Sequence, residues 1–358
     1  MKIDGFKKAT HQINKIRYRP VLVAKIGRGY FRSLVLKKPC LRVCEFSVTP
    51  DCQSKCQFCY ASKFYKKGEQ LLSLEEIEST WIQAKAMGAF CANVLGGEPL
   101  LHPQFLDIIR VLEPKKHLIT FATNCIGLTE DIVKELKKLG VFLINISLNS
   151  LNPELNDELR GYKGHYDHVM RAVELCKKYK IDISFPVATS KPLLKETYEI
   201  VQYAKEIGAS VVVNLMCAMG RTEGETELLF DQAFWSEYRK LVDSNSHLRA
   251  DFDVNLTLKI GCPAGFEKIH FSPYGEVTGC SMNPVSFGNV RETPLEEIVD
   301  KMRNFYHFAK RSPHCLVAID DQYISDYMNY AANFDSIPYR VEENECYQRD
   351  RYRWSAPE

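Results

Sequence analysis

Short apolar runs alternate with amphipathic stretches from residue 41 to residue 216, and this alternation constrains the fold of the chain most strongly. The runs are rich in strand-forming residues, and the stretches between them carry apolar residues at helical spacing. Six strand-plus-helix units in a row predict parallel strands joined by right-handed crossovers. A closed barrel needs eight such units, so we expect an α/β fold with a partial, TIM-like (β/α)6 barrel. The predicted strands are LRVCEFSVT (41–49), CANVL (91–95), HLITFAT (117–123), VFLINISL (141–148), DISFPVAT (182–189) and SVVVNLM (210–216).

The pattern changes after a predicted helix near residues 228–243. The segment KIHFSPYGEVTGC (268–280) predicts a β-hairpin that turns at Tyr274 and Gly275. We therefore predict a basic extension over residues 1–40, the partial barrel over 41–249, and a smaller C-terminal domain over 250–358.

The composition, 45% hydrophobic and 26% charged residues, is that of a globular protein. The apolar runs are too short to span a membrane, and the first residues lack the apolar core of a signal peptide, so we expect a cytoplasmic protein. In such a reducing compartment the thirteen cysteines are expected to act as ligands, nucleophiles or core residues.

Positive charge is concentrated near the N-terminus. Residues 1–39 carry eleven Lys and Arg and one acid, Asp4, whereas the rest of the chain has 36 basic and 44 acidic residues. Apolar residues at 6, 9, 13 and 16 predict an amphipathic basic helix there. This arm could contact a membrane surface, phosphates or its own domain, and no recognisable nucleic-acid-binding module follows it, so no nucleic-acid partner is expected.

Three cysteines lie close together directly after the first predicted strand, at Cys52, Cys56 and Cys59. Thiolates suit zinc or iron–sulfur clusters. A structural zinc site needs a fourth ligand, but Asp51 and Tyr60 are poor candidates and the chain has no second Cys-x2-Cys pair. Three cysteines on a four-iron cluster would instead leave one iron open to another ligand.

The Cys-x3-Cys-x2-Cys loop with an aromatic residue after it resembles the signature of the radical S-adenosylmethionine (SAM) enzymes. Further motifs of that family follow at the expected strand ends, namely GGEP (96–99), ISLNS (146–150) and LRGYKG (159–164). The chain departs from the family pattern at TNC (123–125), where Thr-Asn-Gly is usual, and at Asn149, where Asp is common. The resemblance implies a [4Fe–4S] cluster on Cys52, Cys56 and Cys59, and SAM contacts from Tyr60, Gly96, Gly97, Glu98, Ser147, Asn149 and Arg160.

The resemblance also implies an activity. A reduced cluster splits SAM into a 5′-deoxyadenosyl radical, which abstracts hydrogen from a small or medium organic substrate, with an electron donor such as flavodoxin or ferredoxin. Cys217, after the sixth predicted strand, could return a hydrogen atom to a substrate radical, as thiols do in radical SAM epimerases. The alternative is that Cys217 is a half-buried structural residue.

A second group of cysteines surrounds the predicted hairpin. Cys262 and Cys280 flank it, and this region resembles the auxiliary-cluster domains called SPASM and twitch. A complete SPASM pattern has further cysteines before its last one, and here only Cys315 and Cys346 remain. The resemblance therefore implies one auxiliary [4Fe–4S] cluster on Cys262, Cys280, Cys315 and Cys346.

Three functional hypotheses follow. The first is a radical SAM enzyme that oxidises or epimerises a carbon of a small or medium organic molecule. The second keeps this chemistry but acts on a ribosomal peptide, as SPASM-type peptide maturases do. The third is a non-catalytic iron–sulfur electron carrier, which the SAM-binding motifs disfavour because a carrier has no need of them.

Overall fold

A computed structural model of the chain describes residues 19–36, 40–225, 232–245, 247–249, 261–309 and 311–354. The amphipathic helix predicted around residues 6–16 lies outside these residues. No helix in the described ranges is long and apolar enough to cross a membrane.

One continuous sheet runs through the described residues, and it contains eleven strands. It curves around an apolar core to which both the N-terminal and the C-terminal parts of the chain contribute. The strands are β1 (Val43–Ser47), β2 (Cys91–Leu95), β3 (Leu118–Thr123), β4 (Leu143–Ile146), β5 (Asp182–Thr189), β6 (Ser210–Leu215), β7 (Leu248–Arg249), β8 (Lys268–Phe271), β9 (Glu276–Thr278), β10 (Val285–Asn289) and β11 (Tyr339–Arg340).

The strand order confirms the predicted α/β fold with a parallel core. β1 to β7 follow one another in chain order, and all of these neighbours pair in parallel. β8 pairs in parallel with the free edge of β1 and antiparallel with β9, which confirms the predicted hairpin. The C-terminal region therefore extends the sheet of the barrel, and the domain boundaries given above stay a prediction.

Helices cover the outside of this sheet. The helix after the cysteine loop starts with a capping box, in which Ser73 and Glu76 each satisfy a backbone N–H of the other. The helices are α1 (Pro20–Tyr30), α2 (Leu74–Ala86), α3 (Phe105–Val111), α4 (Glu130–Leu139), α5 (Pro153–Arg160), α6 (His165–Tyr179), α7 (Leu194–Ile207), α8 (Gln232–Ser244), α9 (Leu295–Arg303), α10 (Tyr306–Ala309), α11 (Leu316–Ile319), α12 (Asp321–Tyr323) and α13 (Cys346–Trp354).

Helix α1 lies against the end of the barrel where the strands begin. Leu22 packs on Phe90, which directly precedes β2. Arg19 donates hydrogen bonds to the carbonyl oxygens of Pro114 and Gly140, in the loops that lead into β3 and β4. The loops that carry the predicted site residues lie at the opposite end of the barrel, where the parallel strands finish.

Candidate functional site

A cavity opens at the carboxyl ends of the barrel strands, and most of the residues predicted from sequence line it. Among the residues predicted to bind the first cluster or SAM, Asn149 is the exception, because it is buried outside the lining and is hydrogen-bonded to Arg160. The predicted residues in the lining are Cys52, Cys56, Cys59, Tyr60, Gly96, Gly97, Glu98, Ser147, Arg160 and Cys217.

The three cysteines after β1 are neighbours in space. Burial raises the pKa of the Cys59 thiol to about 11, and the nearby thiols of Cys56 and Cys52 act in the same direction. Within the described ranges, however, no three His, Cys, Asp or Glu side chains converge closely enough to hold a single metal ion. Soft sulfur donors such as these three thiols suit an iron–sulfur cluster.

The loop after β6 holds the cysteine loop in place, which the sequence did not predict. The backbone N–H of Arg221 donates to the Cys59 carbonyl (3.1 Å), and its Nη1 donates to the Cys56 carbonyl (2.8 Å). Gly220 has a φ of +69°, and a Cβ there would lie 2.3 Å from the Cys59 carbonyl oxygen. Only glycine permits this approach.

The two glycines of the GGEP segment line the cavity. They also pack closely against the backbone that leads from β1 into the cysteine loop. A Cβ on Gly97 would lie 2.2 Å from the carbonyl oxygen of Asp51, and one on Gly96 would lie 2.5 Å from that of Thr49. Both glycines therefore lock the end of β2 onto the cysteine loop. Their predicted role in bringing the backbone close to a ligand stays a prediction.

Glu98 is a buried carboxyl group fixed by donors from three directions. It accepts hydrogen bonds from Thr123 Oγ1 (2.8 Å) and from the backbone N–H groups of Asn124 (2.6 Å) and Leu100 (3.2 Å). Burial raises the pKa of Glu98 to about 7, although these hydrogen bonds act in the opposite direction. A carboxylate can accept about four hydrogen bonds, so one more donor can be bound from the cavity.

Asn124 joins this carboxyl group to the cysteine loop, and sequence reasoning missed it. Its Nδ2 lies 3.6 Å from the Sγ of Cys52 and donates to the Oε1 of Gln53 (3.1 Å). Cys125, next in the TNC segment, is one of the non-glycine residues with a positive φ (+67°). A left-handed conformation favours glycine, which gives a physical reason for the family's usual Thr-Asn-Gly.

Arg160 presents a cation to the cavity. Its Nη1 donates to the Oδ1 of Asn149 (3.2 Å), and its guanidinium lies 5.8 Å from the ring centre of Phe58. Its Nε is buried and has no hydrogen-bond partner in the described structure. A buried, unsatisfied cationic donor fits an anionic ligand group such as a carboxylate. Asn149 thus positions Arg160, and the predicted ribose contact of Asn149 stays a prediction.

Cys217 lies on the cavity wall just beyond β6 and is buried. Desolvation raises the pKa of its thiol to about 12, so the group is protonated at neutral pH. The three residues that precede it also line the cavity, namely Asn214 and Leu215 within β6 and Met216 directly after this strand. The Oδ1 of Asn214 is buried without a partner in the described structure, so the wall beside Cys217 offers a free acceptor to a ligand.

The cysteines of the C-terminal region divide into two groups. Cys262, Cys280 and Cys315 are buried, and Cys346 is half-buried at the start of α13. Burial raises the pKa of Cys280, and Cys262 is close enough to raise it further. Burial raises the pKa of Cys346. The nearby carboxylates of Asp326, Asp350 and Glu345 raise it further, and Arg349 lowers it. The structure thus brings Cys262 and Cys280 together, and the roles of all four cysteines as ligands stay predictions.

A short segment connects this cysteine pair to the cavity. The backbone N–H of Ser281 donates to the buried carboxylate of Glu45 on β1 (3.0 Å), and Met282 lines the cavity. Burial raises the pKa of Tyr60, whose hydroxyl is hydrogen-bonded to Ser281. The two cysteine groups are therefore joined through Cys280, Ser281 and Met282.

Two family models match the chain. Residues 46–189 match the radical SAM superfamily, and residues 262–317 match the SPASM iron–sulfur cluster-binding domain. The second match includes Cys262, Cys280 and Cys315, and it ends before Cys346.

Several characterised proteins are similar to this chain. An AdoMet-dependent heme synthase of Methanosarcina barkeri is 24% identical over 291 residues, which are 74% of this chain and 83% of that protein. The subtilosin biosynthesis protein AlbA of Bacillus subtilis is also 24% identical, over 71% of this chain and 58% of AlbA.

A similar fold is found in SuiB of Streptococcus suis, whose structure is known with its precursor peptide SuiA. The TM-score is 0.58 at 18% identity, and the match covers 73% of this chain and 65% of SuiB. The chain therefore spans somewhat less than two thirds of the length of AlbA and SuiB.

Proposed function

Since the chain belongs to the radical SAM superfamily and carries a SPASM domain, we propose that it removes a hydrogen atom from a carbon of an organic substrate. These domains imply a [4Fe–4S] cluster, SAM and auxiliary iron–sulfur, which when bound supply a 5′-deoxyadenosyl radical for this step. The observation that carries the proposal is the cavity shared by the three-cysteine loop, Glu98, Arg160 and Cys217. We assign Cys52, Cys56 and Cys59 to the first cluster.

The polar residues of the cavity have separate roles in holding SAM. The unsatisfied Nε of Arg160 would bind the SAM carboxylate, and Glu98 would accept from its amino group. Asn149 positions Arg160. Ser147, which lines the cavity, and Asn149 are the candidates for a ribose contact.

We assign Cys217 the role of hydrogen-atom donor, which would make the reaction an epimerisation. Its S–H bond breaks homolytically, the hydrogen atom goes to the substrate radical, and a thiyl radical remains. An external electron donor of the flavodoxin or ferredoxin class, together with a proton, restores the thiol. The high pKa of Cys217 supports this role because the group keeps its hydrogen at neutral pH.

Replacing Cys217 by Ala tests this role. In deuterated water the wild type is expected to place deuterium on the product carbon, and Cys217→Ala is expected to lose that label while still forming 5′-deoxyadenosine. Unchanged deuterium incorporation in the variant would rule out Cys217 as the donor, and a wild-type product without deuterium would indicate oxidation instead.

A peptide is the second candidate substrate, because similar proteins act in peptide pathways. SuiB binds the precursor peptide SuiA, and AlbA serves bacteriocin biosynthesis. The two substrate classes are separated by supplying deuterated peptides or small molecules to the reconstituted protein and measuring which of them transfers its label to deoxyadenosine.

The central experiment is an anaerobic cleavage assay. After reconstitution with iron and sulfide, the protein is expected to convert SAM to 5′-deoxyadenosine when dithionite is added. The Cys52→Ala/Cys56→Ala/Cys59→Ala variant is expected to form none, whereas Cys176→Ala, a change in the buried core, keeps the activity. A fully iron-loaded wild type that forms no deoxyadenosine would favour the electron-carrier hypothesis instead.

A further inference from the structure

The N-terminal helix exposes an apolar surface to solvent. Val21, Phe31 and Val35 fall on one side of α1 and the π-helical turn that follows it (Phe31–Val35), and Arg28 lies between them. Exposed apolar side chains at this density on one helix face mark an interaction site more often than a free surface. The exposed apolar residues on this side, here called the outer stripe, are Val21 (64% exposed), Phe31 (53%) and Val35 (63%).

The opposite side of the same helix is anchored to the barrel. Leu22 is buried against Phe90, and a Cβ on Gly29 would lie 3.1 Å from the same ring. Ser33 is buried and donates a hydrogen bond to Glu267. Because the inner side of the helix packs on the barrel, the outer stripe is held in a fixed position and faces the solvent.

The charged residues of the α1 segment itself are all basic. Arg28 is exposed within the outer stripe and Arg32 lies beside it. Between residues 5 and 44 the sequence contains no Asp or Glu, whereas the chain beyond residue 39 has more acidic than basic residues. A basic, apolar helix surface complements anionic lipid headgroups above an acyl layer.

We propose that the outer stripe docks the protein on an anionic lipid bilayer, with its apolar side chains in the headgroup boundary and the basic residues on the lipid phosphates. The helix lies at the end of the barrel where the strands begin, and the cavity lies at the opposite end. The docked protein would therefore keep its cavity open to the aqueous side. This inference does not depend on the proposed reaction.

Vesicle sedimentation with the full chain tests the proposal. The wild type is expected to bind phosphatidylcholine vesicles that contain phosphatidylglycerol, and added salt is expected to release it. Phe31→Glu is expected to weaken binding about tenfold or more, since it removes a large apolar group from the boundary. Arg28→Gln is expected to weaken binding about fivefold.

Tyr198→Glu is the matched control, because Tyr198 is also exposed (41%) but lies on α7. It is expected to bind like the wild type, and melting curves verify that all variants are folded. Equal binding to vesicles of phosphatidylcholine alone, or an equal loss in Tyr198→Glu, would overturn the proposal. So would the absence of vesicle binding together with a dimer that Phe31→Glu dissociates, because the stripe would then contact a second copy.

Discussion

Arg160 combines a fixed position with an unused donor. Asn149 holds one end of its guanidinium, the ring of Phe58 lies beside it, and its Nε remains buried without a partner in the described structure. Leaving a buried charged donor unsatisfied is costly, so a ligand that satisfies it gains affinity. The side chain is therefore prepared for an anion before one binds.

Arg160→Gln is expected to weaken SAM binding about 10- to 100-fold, since a hydrogen bond to a charged group contributes about 1.5–3 kcal/mol. Equilibrium binding to the reconstituted protein measures this, and the iron content is expected to stay unchanged. Arg110→Gln, which removes an exposed arginine paired with Asp107 and Glu135, is the control. Unchanged SAM affinity in Arg160→Gln would contradict the assignment.

The cysteine spacing predicted the site because Cys52, Cys56 and Cys59 are neighbours in sequence. Asn124 and Arg221 were missed because they reach the same loop from 72 and 165 residues away. Neither carries a local signal, since an Asn or Arg in a loop has many ordinary uses. Only the folded sheet brings their strand ends beside the cysteines.

At the scale of elements, glycines set how closely the loops pack. Gly97, Gly161 and Gly220 each lie where a Cβ would be within 2.4 Å of a backbone carbonyl of the segment from Asp51 to Cys59. The cysteine loop is thus enclosed by backbone from three other loops. Such contacts fix its conformation before any cluster is present.

Gly220→Ala and Gly224→Ala form a matched pair that tests this packing. Both glycines have a positive φ, but a Cβ at Gly224 would meet nothing within 4 Å. Gly224→Ala is expected to lower the free energy of unfolding by roughly 1–2 kcal/mol, and Gly220→Ala by about 2 kcal/mol more because of the added clash. Denaturant unfolding measures both, and iron retention is expected to fall only in Gly220→Ala. Equal effects of the two changes would contradict the packing role.

Most of the strands could be predicted from the sequence, whereas β7 and the position of α1 could not. Six parallel strands and the hairpin follow from hydrophobic pattern and turn residues. The two-residue β7 is too short to produce a periodic signal. The place of α1 also escaped prediction, because its contacts with Phe90, Pro114 and Gly140 depend on how the barrel closes.

At the scale of the whole molecule, one buried carboxylate connects three distant parts of the chain. Glu267 pairs with Arg42 before β1 (2.8 Å) and with Arg311 in the C-terminal region (2.6 Å). It also accepts from Ser33 in the turn after α1. Burial alone would raise the pKa of Glu267, but the two guanidinium groups hold it below its ordinary value.

Glu267→Gln is expected to lower the free energy of unfolding by about 3–5 kcal/mol, because it removes the carboxylate that neutralises the buried guanidinium of Arg42. Glu292→Gln, which removes an exposed partner of Arg340, is the control and is expected to cost at most about 1 kcal/mol. Since the folded pKa of Glu267 is depressed, its contribution is present above the pKa of the unfolded chain and is lost as the pH falls toward the folded value. Denaturant unfolding at neutral and acid pH should therefore show Glu267→Gln and the wild type converging in acid, and a difference that persisted or grew there would contradict the ionic role of Glu267.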